Sequence, residues 1–292
     1  MAYIPPDNLA YPLLVQFNTG STGSAFFLNH GSLNYLVTAK HVLLDKSGAS
    51  RGSIFKLSCP AKLESEMTSV FEVTTSEIRV LVHETADVAV VPFGVRTPIE
   101  GGKSYNVAVN PGIRVIQAAA SGTVSVSSEN CVRGLANAFV GNEVLMYGYP
   151  TSLGLKQTPQ FDYSRPLVRK GGLAGVYPTK GTLILDCPAF PGNSGGPVVQ
   201  VEEIGNGMKK HSVVGVVSEF IPLAQPRFSP FTGKQVEPEL INSGFSVAVA
   251  IDNVIDLIER DLATQSQMPL DRGEIMRQHL EGKDKVKTSV LG

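Results

Sequence analysis

Apolar residues in this chain come in short, β-branched runs, each closed off by Gly, Pro, Asn or Ser, and that punctuation constrains the fold more than any other feature. Such runs cover 12–17, 25–28, 35–38, 88–92, 143–147, 182–186 and 213–218. Stretches of four to eight residues between turn formers are strand-length, too short for helices that pack by their own amphipathic face. Strands at this spacing over more than two hundred residues predict an all-β sandwich or barrel architecture. With 292 residues and 42% hydrophobic content, the chain can bury a substantial core.

One segment breaks the pattern. Residues 252–263 place Val254, Ile255, Leu257, Ile258 and Leu262 at helical spacing, with Asp252 positioned to cap the first turn. The remainder, 265–292, is polar and charged and reads as a tail, with a short helix at 271–281 and a mobile end from 282.

Charge narrows the function. Lys and Arg total 25 against 26 Asp and Glu, so no basic excess exists to neutralise phosphates, and nucleic acid is not an expected partner. No apolar run approaches the roughly 20 residues of a membrane span, and 1–16 lacks the basic start and small-residue cleavage site of a secretory signal. Cys59, Cys131 and Cys187 are odd in number and scattered, which argues for a reducing compartment, so a cytoplasmic location is expected. His30, His83, His211 and His279 have no Cys or carboxylate cluster at ligand spacing, so no metal and no cofactor is expected.

The chemistry concentrates in Pro191-Gly192-Asn193-Ser194-Gly195-Gly196-Pro197, between the runs at 182–186 and 198–201. Glycines on both sides leave one hydroxyl uncovered and allow backbone conformations that a Cβ would obstruct. The N–H groups of Gly192 and Ser194 can then converge on a developing oxyanion. A serine hydroxyl needs an adjacent base. Thr38-Ala39-Lys40-His41-Val42 supplies an imidazole at a strand end, and Asp87-Val88-Ala89-Val90-Val91 supplies a carboxylate at the head of an apolar strand that can orient it.

These residues resemble the chymotrypsin-fold, trypsin-like serine proteases, nearest to the HtrA/Deg-type protease domain. The histidine, aspartate and serine motifs stand in family order, and 140–150, 214–218 and 244–249 are similar to the family's barrel-opening strand, substrate strand and closing strand. The resemblance implies two packed antiparallel six-stranded β-barrels with a C-terminal α-helix. It puts a protease domain over 1–264, with a first barrel over about 12–100, a connection over 101–135, a second barrel over about 136–250 and the helix at 252–263. It implies a serine endopeptidase with His41, Asp87 and Ser194 as catalytic residues, and Gly192 and Ser194 as the oxyanion hole. Ser218 would pair with substrate backbone, and Pro188, Ala189, Phe220 and Ser243 would form a primary pocket without charge, suited to a small or medium aliphatic residue.

Two departures from the family pattern are visible. No PDZ module is expected after the helix, and 221–241, with four prolines, is longer than the family's loop. Asn193 stands where secreted zymogen relatives carry an aspartate that pairs with a new N-terminus, so activation by N-terminal cleavage is not expected. The expected partner is a protein or peptide substrate, with a regulatory partner or homo-oligomer left open. The alternatives are a gated or inactive protease-like scaffold and a chaperone-like peptide binder.

Overall fold

The computed structural model describes residues 4–63, 65–99, 104–151, 162–228, 230–267 and 285–291. Ten strands of the first half are β1 (Pro12–Phe17), β2 (Thr22–His30), β3 (Leu33–Thr38), β4 (Ile54–Cys59), β5 (Ser69–Thr74), β6 (Leu81–Val82), β7 (Ala89–Pro98), β8 (Ser104–Val109), β9 (Ile113–Gln117) and β10 (Thr123–Ser127). Six more follow: β11 (Glu143–Gly148), β12 (Leu167–Tyr177), β13 (Thr182–Asp186), β14 (Pro197–Glu203), β15 (Lys209–Phe228) and β16 (Gln235–Ala250). Helix α1 (Lys40–Leu43) is a single turn after β3, α2 (Ile251–Gln267) follows β16, and β17 (Lys285–Leu291) comes last.

The second half closes into a six-stranded barrel in the order β11-β12-β13-β16-β15-β14. The first half is a curled sheet of eleven strands built around β7-β3-β2-β1-β4-β5, antiparallel throughout that run. This is the chymotrypsin-like two-barrel arrangement, with the first barrel enlarged. The enlargement corrects two expectations. In the described part of 101–135, β8 and β10 add to the sheet's far side and β9 pairs with β5, so this stretch is more than a connection. The end of the tail is ordered as β17, inserted between β10 and β8. The helix expected at 271–281 lies outside the described residues.

Alternation explains the layering. In β4 and β5, Phe55, Leu57, Phe71 and Val73 point inward while their neighbours face solvent. Phe27, Phe71 and Phe93 form the aromatic centre of the first barrel, with ring centroids 4.5–6.2 Å apart. Strands β2 and β3 are buried on both faces. Ala25, Phe27 and Leu36 face into the barrel, whereas Phe26, Leu28, Tyr35 and Val37 meet Leu145, Tyr147, Val199 and Val216 of the second barrel. The same interface receives α2 through fully buried Val254 and Ile258, with Ile255, Leu257 and Leu262 packed alongside, as its spacing foretells. Asp252, expected as a cap, accepts the Leu135 N–H at 2.9 Å and ties the inter-barrel segment to the helix.

No described helix is long and apolar enough to cross a membrane.

Candidate active site

The pairing of β3 with β7 sets Thr38 opposite Ala89, so the residues just past one strand end and just before the other strand's start are neighbours. Those residues carry His41 and Asp87. The one-turn helix α1 turns the imidazole back toward the sheet edge. Its Nδ1 lies 2.7 Å from Asp87 Oδ2, and its backbone N–H donates to Oδ1 at 3.0 Å. Asp87 is itself fixed from behind: His83 Nδ1 accepts the N–H groups of Thr85 and Ala86, and Lys40 Nζ donates to the His83 carbonyl. Arg51 Nε donates to the His41 carbonyl at 2.5 Å.

Asp87 takes a third bond. Ser218 Oγ on β15 donates to Oδ2 at 2.6 Å, reaching across from the second barrel. Burial alone would raise the Asp87 pKa, but the hydrogen bonds from His41 and Ser218 and the neighbouring imidazole outweigh it and pull the carboxyl down to about 2. The carboxylate is therefore an anion beside the ring over the ordinary pH range.

The turn that carries Ser194 is held with little slack. Gly192 and Gly195 have φ of +100° and +86°, a region that L side chains rarely adopt. A Cβ on Gly195 would collide with the Ser24 carbonyl and the Thr38 hydroxyl. Ser24, fully buried in β2, clamps the turn from the first barrel: its N–H donates to the Ser194 carbonyl at 2.8 Å and its Oγ to the Gly192 carbonyl at 2.7 Å. From the second barrel, Gly195 N–H donates to the Val217 carbonyl and Val217 N–H to the Gly196 carbonyl. Asn193 is buried and folds back on the turn, its N–H reaching the Phe190 carbonyl and its Oδ1 accepting the Phe190 N–H. Among the described residues, the N–H groups of Gly192 and Ser194 donate to no protein acceptor. The turn thus presents two free donors beside one hydroxyl.

The two halves enclose a cleft of about 610 Å³ lined by His41, Asp87, Ser194, Ala189, Ser218 and Phe220, among others. Residues 23–205, more than half of the chain and containing all three of His41, Asp87 and Ser194, match the model of the trypsin-like peptidase domain. The chain belongs to the trypsin-like peptidase family. Curated proteins give no match. Among solved structures, an HtrA-type protease, AlgW, determined with a tripeptide, superposes with a TM-score of 0.43 at 15% identity, over 89% of this chain and 63% of that one. The chain thus spans less than two thirds of that relative's length.

Within this family frame, some expected contacts are absent. Ser194 Oγ donates to the Ser218 carbonyl at 3.0 Å, and among the described residues it makes no hydrogen bond to His41. Of the expected pocket residues, Ala189 and Phe220 line the cleft, whereas Pro188 and Ser243 do not. Ser243 is engaged elsewhere, its hydroxyl donating to the Ile221 carbonyl at 2.5 Å. Two contributors escape the sequence reading. Asn242 Nδ2 holds the Ala189 carbonyl at 2.6 Å, and Arg169 lies 4.4 Å from the centroid of the Phe190 ring, which lines the cleft. Neither sits in a motif; only the pairing of β13 with β12 and with β16 brings them close. No cluster of three or more metal-binding side chains occurs among the described residues.

Proposed function

We propose that this chain is a serine endopeptidase in which Ser194 is the nucleophile, His41 the general base and Asp87 the orienting carboxylate. The observation that carries the reading is one hydrogen-bonded unit drawn from both barrels, His41–Asp87–Ser218–Ser194, with two unused N–H groups beside the hydroxyl.

In the reaction, an extended peptide adds to the free edge of β15 at Ser218–Phe220. Its N–H at the residue before the scissile bond takes the Ser218 carbonyl, displacing the Ser194 hydroxyl, which then turns to His41. Ser194 Oγ attacks the peptide carbonyl while His41 accepts its proton, and the imidazolium returns that proton to the leaving amine. The Gly192 and Ser194 N–H groups stabilise the oxyanion, each donor typically worth about 3 kcal/mol. Water then releases the acyl group by the same route.

Arg51 and Glu219 also line the cleft, but Ala189, Phe190 and Phe220 among its lining residues support preference for an apolar residue before the scissile bond. Asn193, held by Phe190 rather than offering a charge to an ammonium, supports competence without N-terminal cleavage. Three cysteines in separate places, none in a disulfide, support a reducing, cytoplasmic setting. A gated form is the second reading, favoured by the Ser194–Ser218 bond, which parks the nucleophile away from its base.

Hydrolysis of an unfolded protein by the wild-type chain, absent in Ser194→Ala, is the expected result. A folded wild-type chain that leaves every unfolded protein and peptide intact would exclude the endopeptidase.

A further inference from the structure

Strand β15 runs for 20 residues, with register shifts against β16 near Ser218, Ile221 and Pro226, from the barrel wall past the cleft and out into solvent. Its pairing with β14 ends at Val216 opposite Pro197, while its pairing with β16 continues to Phe228 opposite Gln235. Beyond the nucleophile turn, then, no described strand occupies the other edge of β15. The outer part, 221–241, is a two-stranded arm whose described residues are almost all exposed. Isolated two-stranded ribbons are marginal in water, and this one holds large apolar side chains in solvent. Leu223 is 53% exposed, Phe228 62% and Leu240 67%. Its charges are Arg227, Lys234, Glu237 and Glu239, and Arg227 and Glu239 face each other across the strands at 3.8 Å.

These side chains stand on both faces of the ribbon, Leu223 opposite Ile241 and Leu240 opposite Ala224, and continuity with the cleft says what they meet. The edge that holds Ser218 and Phe220 beside Ser194 is the same edge that continues along the arm. A peptide acyl half lying on Ser218–Phe220 is directed outward over it. From Phe220 to Phe228 the arm offers roughly 26 Å, room for about eight extended residues. Pro222 and Pro226 lack N–H donors, so the arm cannot support a full backbone ladder there. Binding along it must come from its apolar side chains.

We propose that the arm is an extension of the substrate track that takes apolar residues lying several positions before the scissile bond. The inference rests on the protease reading above and gives it a substrate class: unfolded, hydrophobic polypeptide segments rather than short peptides or polar loops.

The test is peptide binding to the full Ser194→Ala chain by fluorescence anisotropy, which does not depend on turnover. Probes share two leaving-side residues and carry either three or nine acyl-side residues, the distal six being Leu, Val and Ala or, as a control, Ser and Glu. The apolar nine-residue probe should bind about tenfold more tightly than the three-residue probe, and the polar control should gain nothing. Leu223→Asp combined with Leu240→Asp, and separately Phe228→Ser, should bring the two affinities together. Equal affinity for the short and long apolar probes, no binding of either, or arm variants that keep the full difference would overturn the proposal. So would arm variants that alter only self-association of the chain. Loss of hydrolysis by the wild-type chain with length-dependent binding intact would sink the protease reading alone.

Discussion

The Ser194 turn and the arm both belong to the second barrel, one lining the cleft and the other continuing from the strand at its edge, yet they are built in opposite ways. In 190–197 most backbone groups other than the Gly192 and Ser194 N–H have a partner, two glycines hold positive φ, and buried Ser24 grips the turn from the other barrel. In 221–241 the side chains stand in solvent, and the recorded anchors sit at the base, where Ser243 bonds the Ile221 carbonyl and Asn242 bonds the Ala189 carbonyl. Groups that must meet a reacting atom within a few tenths of an ångström need a rigid surround. Groups that sort among many sequences do not, and apolar surface tolerant of partner shape serves them better.

This contrast can be broken or sharpened by substitution. Ser194→Ala should have the largest effect, lowering turnover by about 10⁴-fold or more while thermal unfolding is unchanged. An equal loss of stability would mean that the hydroxyl is structural. Gly195→Ala comes next: at φ +86° and against the Ser24 carbonyl, a methyl should cost about 1–3 kcal/mol in denaturant unfolding and take activity with it. A neutral result would show the turn to be less constrained than its bonding implies.

Ser218→Ala should act more gently. Removing its hydrogen bond should raise the Asp87 titration midpoint from about 2, followed by carboxyl chemical shifts. Because the folded-state value lies below the ordinary 3.8, Asp87 stabilises the fold fully above about pH 4 and loses that contribution as pH falls toward 2. The variant should lose less on acidification, since its shift is smaller. Leu223→Ser on the arm should be smallest for stability, within about 0.5 kcal/mol. A large destabilisation would mean that the arm is packed against something.

Much of this was legible in the residues. The punctuated apolar runs foretell the strands, and 12–17 and 182–186 coincide with β1 and β13 because each is bounded by a turn at both ends. The positions of His41, Asp87 and Ser194 follow from local chemistry: an imidazole leaving a strand, a carboxylate heading one, a hydroxyl among glycines. What sequence could not show depends on long-range register. Ser24 lies inside an ordinary strand, and its role exists only because β2 faces the turn 168 residues later. The strands in 104–127 alternate, as Thr123–Ser127 shows, but a local pattern does not say which sheet a strand joins, so nothing in it says that they widen the first sheet. The length of the arm was visible as four prolines in an insertion, but proline-rich composition suggests a loop, and cross-strand pairing overrides that local preference.

The central claim is that Ser194, made reactive through His41, is the group that attacks. The most direct measurement is mass-spectrometric mapping of the adduct left by a peptidyl phosphonate on the full chain. One covalent adduct on Ser194, formed by the wild type and lost in His41→Ala, is the predicted result; a folded wild type that carries no adduct, or carries it on another residue, would contradict it.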